Sequence, residues 1–176
     1  LLEGLGASAE RQQSEQQQGE TAGHDGSFLR AEAAMMSVRV AAFFSSISLG
    51  PDRSLQDVLR LLSLWFRYGT HPAVQAALQE GFAAVPVDTW LQVIPQIIAR
   101  INLGARAIRL SIADLLSQVG RVHPQALVYP LTVASKSQSA SRRTAALDLL
   151  RRMRLHSDAL IGETEMVSQE LIRVSV

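Results

Sequence analysis

The spacing of the apolar side chains constrains this chain more than any other feature. Ile108, Ile112, Leu115, Leu116 and Val119 fall at i, i+4, i+7, i+8 and i+11, the stripe of a helix that buries one face. Comparable registers recur from Phe28 onward, separated by short breaks that contain Gly, Pro or His-Pro. Strict alternation of apolar and polar residues, which a half-buried strand requires, does not persist anywhere. A chain patterned in this way folds as helices that cover one another's stripes, so its fold class is all-α.

Ser54 and Asp57 form a loose capping box that opens a first strong helix. Its polar residues Gln56, Arg60, Ser63 and Arg67 make one narrow stripe. Leu55, Val58, Leu59, Leu61, Leu62, Leu64, Trp65 and Phe66 occupy the remaining faces, which predicts neighbours on several sides. Gly69 is expected as a left-handed stop and Pro72 as a first-turn proline.

Asp88 is expected to cap a helix through Ile101 that turns Trp90, Leu91, Ile94, Ile97, Ile98 and Ile101 inward and kinks at Pro95. Gly120 is expected to end the 108–119 helix. His123-Pro124 then opens another helix, interrupted by Pro130. Two further helices are predicted over about 141–156 and 158–174. Ala146, Leu149, Leu150 and Met153 face inward on the former, and Val167, Leu171 and Val174 on the latter. About eight helices in about four pairs, spaced by roughly 35 to 45 residues, point to an α-solenoid of antiparallel helix hairpins, HEAT- or TPR-like.

Residues 1–26 stand apart. Gln, Gly and Glu dominate there, with too little apolar surface to offset the entropy of ordering. The organisation expected is a disordered loop or linker over 1–26 and helical repeats over 27–176. A start without Met and a finish inside the apolar-patterned stretch Glu170 to Val174 suggest truncation at both ends.

Chemistry is sparse. The net charge of +1 creates no long-range field to gather nucleic acid or an anionic membrane. With no Cys, disulfides, Cys-based zinc sites and thiol nucleophiles are excluded, which suits a reducing cytosol. Neither a signal-peptide pattern nor an uninterrupted apolar run of spanning length is present, so direct membrane insertion is not expected. Gly4-Leu5-Gly6 is a fragment of a phosphate-loop pattern without a strand before it. His24, His71, His123 and His156 lack metal-ligand spacing. No catalytic, cofactor-binding or metal-binding residue is nominated. The one unusual charge feature is Arg142, Arg143, Arg151, Arg152 and Arg154 on a single helix, followed by a helix carrying Asp158, Glu163, Glu165 and Glu170. Surface ion pairs across an antiparallel hairpin explain it most simply. Docking on an acidic or phosphorylated partner is the functional alternative.

Several stretches carry a resemblance. They are Ser63-Leu-Trp-Phe-Arg-Tyr-Gly69, Asp88-Thr-Trp-Leu-Gln-Val-Ile-Pro-Gln-Ile-Ile-Ala-Arg-Ile101, His123-Pro-Gln-Ala-Leu-Val-Tyr-Pro-Leu-Thr-Val-Ala-Ser-Lys-Ser137 and Met166-Val-Ser-Gln-Glu-Leu-Ile-Arg-Val174. From about Phe43 to Val176 the chain resembles the late FAT region of the target-of-rapamycin family, within the phosphatidylinositol-kinase-related kinases. Arg67, where that family usually has an acidic residue, and Asn102-Leu103-Gly104, in place of a proline-containing turn, depart from its pattern.

The resemblance implies a non-catalytic helical scaffold that packs around and regulates the kinase domain of a larger serine/threonine kinase in nutrient and growth signalling. ATP and Mg would be cofactors of that kinase domain, not of this segment. The implied partners are the kinase domain of the same polypeptide and the subunits of a large complex, with dimerisation left open. The implied location is cytoplasmic, extending to endomembrane surfaces or the nucleus, and the rapamycin-binding helices would follow Val176. The alternative reading is a stand-alone helical-repeat adaptor that binds protein partners.

Overall fold

The computed structural model describes residues 30–50 and 54–175. The linker expected over 1–26 lies outside the described residues. The helices are α1 (Arg30–Leu49), α2 (Ser54–Tyr68), α3 (Pro72–Ala84), a 3-10 helix (Val87–Val93), α4 (Ile94–Ile98), α5 (Arg106–Val122), α6 (Pro124–Ala134) and α7 (Ala140–Ser175). Within α7, Ser157 leaves helical geometry at φ −148° and ψ 46°, so this last element is two helices, as its sequence pattern predicts. Among the described residues there is no strand. The array is an all-α solenoid.

One continuous buried cluster runs along the array from Met36 to Ile161. Its first part is aromatic. Phe82 of α3 touches Phe44 of α1 at 5.5 Å between ring centroids, Trp65 of α2 at 4.9 Å and Trp90 of the 3-10 helix at 5.2 Å. All three contacts are edge-on, the arrangement that aligns ring edges with π faces. Trp65 and Trp90 are fully buried, as their apolar stripes predict. By length and composition α1 alone among the described helices could cross a membrane. Here it turns Met36, Val40, Phe44 and Ile47 into the core at helical spacing.

The segment 88–101 buries the side chains its sequence predicts, Leu91 only in part, by a different route. It is not one kinked α-helix capped by Asp88. It begins as the 3-10 helix, preceded by Pro86, with no side-chain cap. Val87, Trp90 and Val93 stand three residues apart, matching three residues per turn, and Trp90 and Val93 are buried. Pro95 lacks the N–H that would bond back to Leu91. It therefore sits in the first turn of α4, and α-helical spacing takes over at buried Ile94, Ile97, Ile98 and Ile101.

Other expectations are corrected. In α2, which meets α1, α3 and the 3-10 helix, Leu55 and Leu59 are exposed, so its neighbours do not reach every apolar face. Asp57 accepts a hydrogen bond from Ser46 Oγ of α1 at 2.7 Å, tying the two helices together. Among the described residues no glycine has positive φ, so Gly69 is not a left-handed stop. Gly120 does not end α5, which continues to Val122. It is a buried seat for α7, since a β-carbon there would stand 3.0 Å from Met153 Cγ. Helix α6 runs through Pro130.

The last correction is the largest. Ala146, Leu149, Leu150, Met153 and Ile161 of α7 are buried. Val167, Leu171 and Val174, expected inward, are 54%, 65% and 81% exposed. They form a true apolar stripe that no described element covers.

Candidate interaction surface

Helix α7 packs chiefly on α6, and its first half also meets α5. This places the five nominated arginines in different surroundings rather than in one patch. Arg142 is half-buried and reaches the Ala99 carbonyl at 3.5 Å. Arg143 donates to the Ser137 carbonyl at 3.0 Å, beside the start of the helix. Arg151 bonds Asp148 at 2.8 Å, one turn back on the same helix. Arg154 pairs with Glu165 across the break at Ser157 and lies 3.8 Å from Asp158. Arg154 thus makes the basic-to-acidic pairing that the sequence suggests for two adjoining helices. Arg152 has no carboxylate partner among the described residues and lies on the wall that faces α5.

Two cavities lie between α5 and the first half of α7, and Arg152 lines both. The larger, about 420 Å³, is also lined by Asp114, Arg121, Met153, Leu155 and His156. The smaller, about 240 Å³, has Ile101, Leu110, Ile112 and Leu149 along its apolar side and Arg106, Arg109 and Asp148 around it. Arg109 is committed elsewhere, donating to the carbonyls of Leu103 at 2.7 Å and Gly104 at 2.6 Å and so closing the turn before α5. Sequence reasoning missed Arg106, Arg121 and His156 as neighbours of Arg152. The approach of α5 to α7 brings in Arg106 and Arg121, whereas His156 stands one turn beyond Arg152 on α7 itself.

His71 and His123 serve junctions. His71 precedes Pro72 at the start of α3, and His123 joins α5 to α6, as their His-Pro setting predicts. His123 additionally bonds Asp88 of the 3-10 helix, a tie the sequence did not reveal. Among the described residues, no group of three or more His, Asp or Glu side chains gathers as metal ligands would.

A solenoid of helices with a groove between α5 and α7 falls in the class of helical-repeat proteins. Residues 73–171 match the family described as "Serine/threonine-protein kinase ATR-like, HEAT repeats", more than half of the chain, and the chain belongs to that family. Its similarity to target-of-rapamycin kinases is extensive. It is 53% identical over 137 residues to the serine/threonine-protein kinase tor1 of Schizosaccharomyces pombe. It is 54% identical over 137 residues to the serine/threonine-protein kinase mTor of Drosophila melanogaster. It is 51% identical over 142 residues to the serine/threonine-protein kinase TOR of Arabidopsis thaliana. Each match covers 78% of this chain and 6% of the relative, so the chain spans a small part of the length of the curated relatives it matches. The resemblance carried by 63–69, 88–101, 123–137 and 166–174 is borne out.

Proposed function

We propose that this chain is a non-catalytic scaffold segment of a target-of-rapamycin-type serine/threonine kinase, and that it packs around and regulates the kinase domain of the same polypeptide. The observation that carries this reading is 50 to 54% identity to such kinases over 137 residues, 78% of the chain. The exposed stripe of Val167, Leu171 and Val174 supports it, because solenoid repeats cover such faces with the next repeat. In this reading ATP and Mg belong to the kinase domain, and the other partners are subunits of its complex. The protein acts in the cytoplasm, with endomembrane surfaces and the nucleus as further sites. The segment itself has no role in binding nucleic acid or inserting into membranes.

The test has two parts. Reading the coding sequence past Val176 should show kinase motifs; a stop codon there would favour the stand-alone adaptor. In the longer protein, Trp90→Ala should change the rate of substrate phosphorylation while the affinity for ATP stays constant, and Gln92→Ala should change neither. A Trp90→Ala protein that has lost helical melting yet phosphorylates at the wild-type rate would sink the coupling between this scaffold and the kinase domain.

A further inference from the structure

The basic side chains of this region are not left open at random. Arg151 and Arg154 of α7 are spent on Asp148, Asp158 and Glu165. Arg106 and Arg121 of α5 and Arg152 of α7 have no carboxylate partner among the described residues, and all three line the α5–α7 groove. The acids that share the groove are Asp114 and Asp148, and Asp148 is already bonded to Arg151. The chain as a whole is close to neutral at +1, so this excess of positive charge is a property of the groove.

The two halves of the groove also differ in kind. The smaller cavity offers Leu110, Ile112 and Leu149, while the larger offers the guanidinium groups of Arg121 and Arg152 and the ring of His156. We propose that the groove is a docking site for an acidic peptide segment of a partner protein that carries an aliphatic anchor. The aliphatic side chain enters the smaller cavity against Leu110 and Leu149. Carboxylates of the same segment meet Arg152, whose position between the cavities sets the spacing, and Arg121. Arginine suits this role because its planar fork presents paired donors to a carboxylate, with a weaker hydration shell to strip than an ammonium has. The apolar contact supplies affinity that charge alone, screened by salt at an exposed surface, would not. This inference stands on the groove itself and does not depend on the scaffold reading.

The probe is a short fluorescein-labelled peptide of glutamates with leucine anchors, titrated with the whole chain and followed by fluorescence anisotropy. Saturable binding is expected, together with its loss when Gln replaces each Glu of the probe. The double substitution Arg121→Ala with Arg152→Ala should weaken binding about tenfold or more, since each removes charge-assisted hydrogen bonds. Leu110→Ser should weaken it as well. Arg154→Ala, whose charge is spent on Asp158 and Glu165 outside the groove, should leave it within about twofold. A peptide with Lys in place of Glu should bind the double charge reversal Arg121→Glu with Arg152→Glu. That swap shows the site intact even where an alanine variant loses structure. No saturable binding, equal weakening by Arg154→Ala, or retention in both double variants would overturn the proposal. Stronger capture of the chain by phosphatidylserine vesicles than by the acidic peptide would also overturn it, reassigning the groove to a lipid surface.

Discussion

The ring of Phe44 in α1 rests on the backbone of Gly81 in α3, so closely that a β-carbon at Gly81 would stand 2.1 Å from Phe44 Cδ2. Glycine inside a helix costs about 1 kcal/mol relative to alanine. Here the missing side chain is what lets α1 seat on α3 and brings Phe44 against Phe82 and Trp90. Gly81→Ala should lower stability by about 1 to 3 kcal/mol through overpacking, despite its better helix propensity. Gly162→Ala, with nothing within 4 Å of its added carbon, should raise stability by about 0.5 to 1 kcal/mol. Urea midpoints of the two variants should move in opposite directions; movement in the same direction would contradict the close approach at Gly81.

Trp90 is 1% exposed and sits at the junction of α1, α3 and the 3-10 helix. Trp90→Ala should cost about 3 to 5 kcal/mol from lost transfer energy and the cavity left behind. Gln92→Ala, two residues on and exposed, should stay within about 0.5 kcal/mol. Melting followed by circular dichroism separates the two, and wild-type melting of Trp90→Ala would remove this indole from the core.

The Thr132 hydroxyl is buried in α6 with no hydrogen-bond partner among the described residues. Desolvating a polar group without pairing it costs about 1 to 3 kcal/mol. Thr132→Val keeps the shape and removes that cost, so it should stabilise the chain by about 1 kcal/mol. A loss of stability would mean that the hydroxyl has a partner after all.

The two halves of α7 should respond differently to substitution. Leu171→Gln and Val167→Gln alter exposed positions and should shift the denaturation midpoint of this chain by less than about 0.5 kcal/mol. Ile161→Ala empties a fully buried position at the start of the second half and should cost about 2 to 5 kcal/mol. Large losses at Leu171 would restore the inward face that its apolar stripe predicts.

Much of the architecture was legible because a helical stripe is a property of one helix. Ile108 to Val119, Ala146 to Met153 and the break near Ser157 all appear where the spacing puts them. Across 88–101 the buried side chains were legible and the helix type was not. Spacings of three and four residues overlap there, and the outcome turns on Pro95, which withholds an N–H. The groove was half legible. The arginines of α7 stand out in sequence, but nothing local distinguishes Arg152, open towards α5, from Arg151, closed by Asp148.

By itself, then, the sequence determined most of the helices, many of the residues that leave water, and the family to which they belong. Periodicity and composition are carried by each segment alone. The tertiary structure alone decided that Gly81 and Gly120 are seats for neighbouring side chains, that Arg154 spends its charge on Glu165, and that Val167, Leu171 and Val174 stay in solvent. Each of those outcomes depends on two surfaces meeting. An apolar stripe records that a helix can be covered; whether it is covered depends on which helix lies across it.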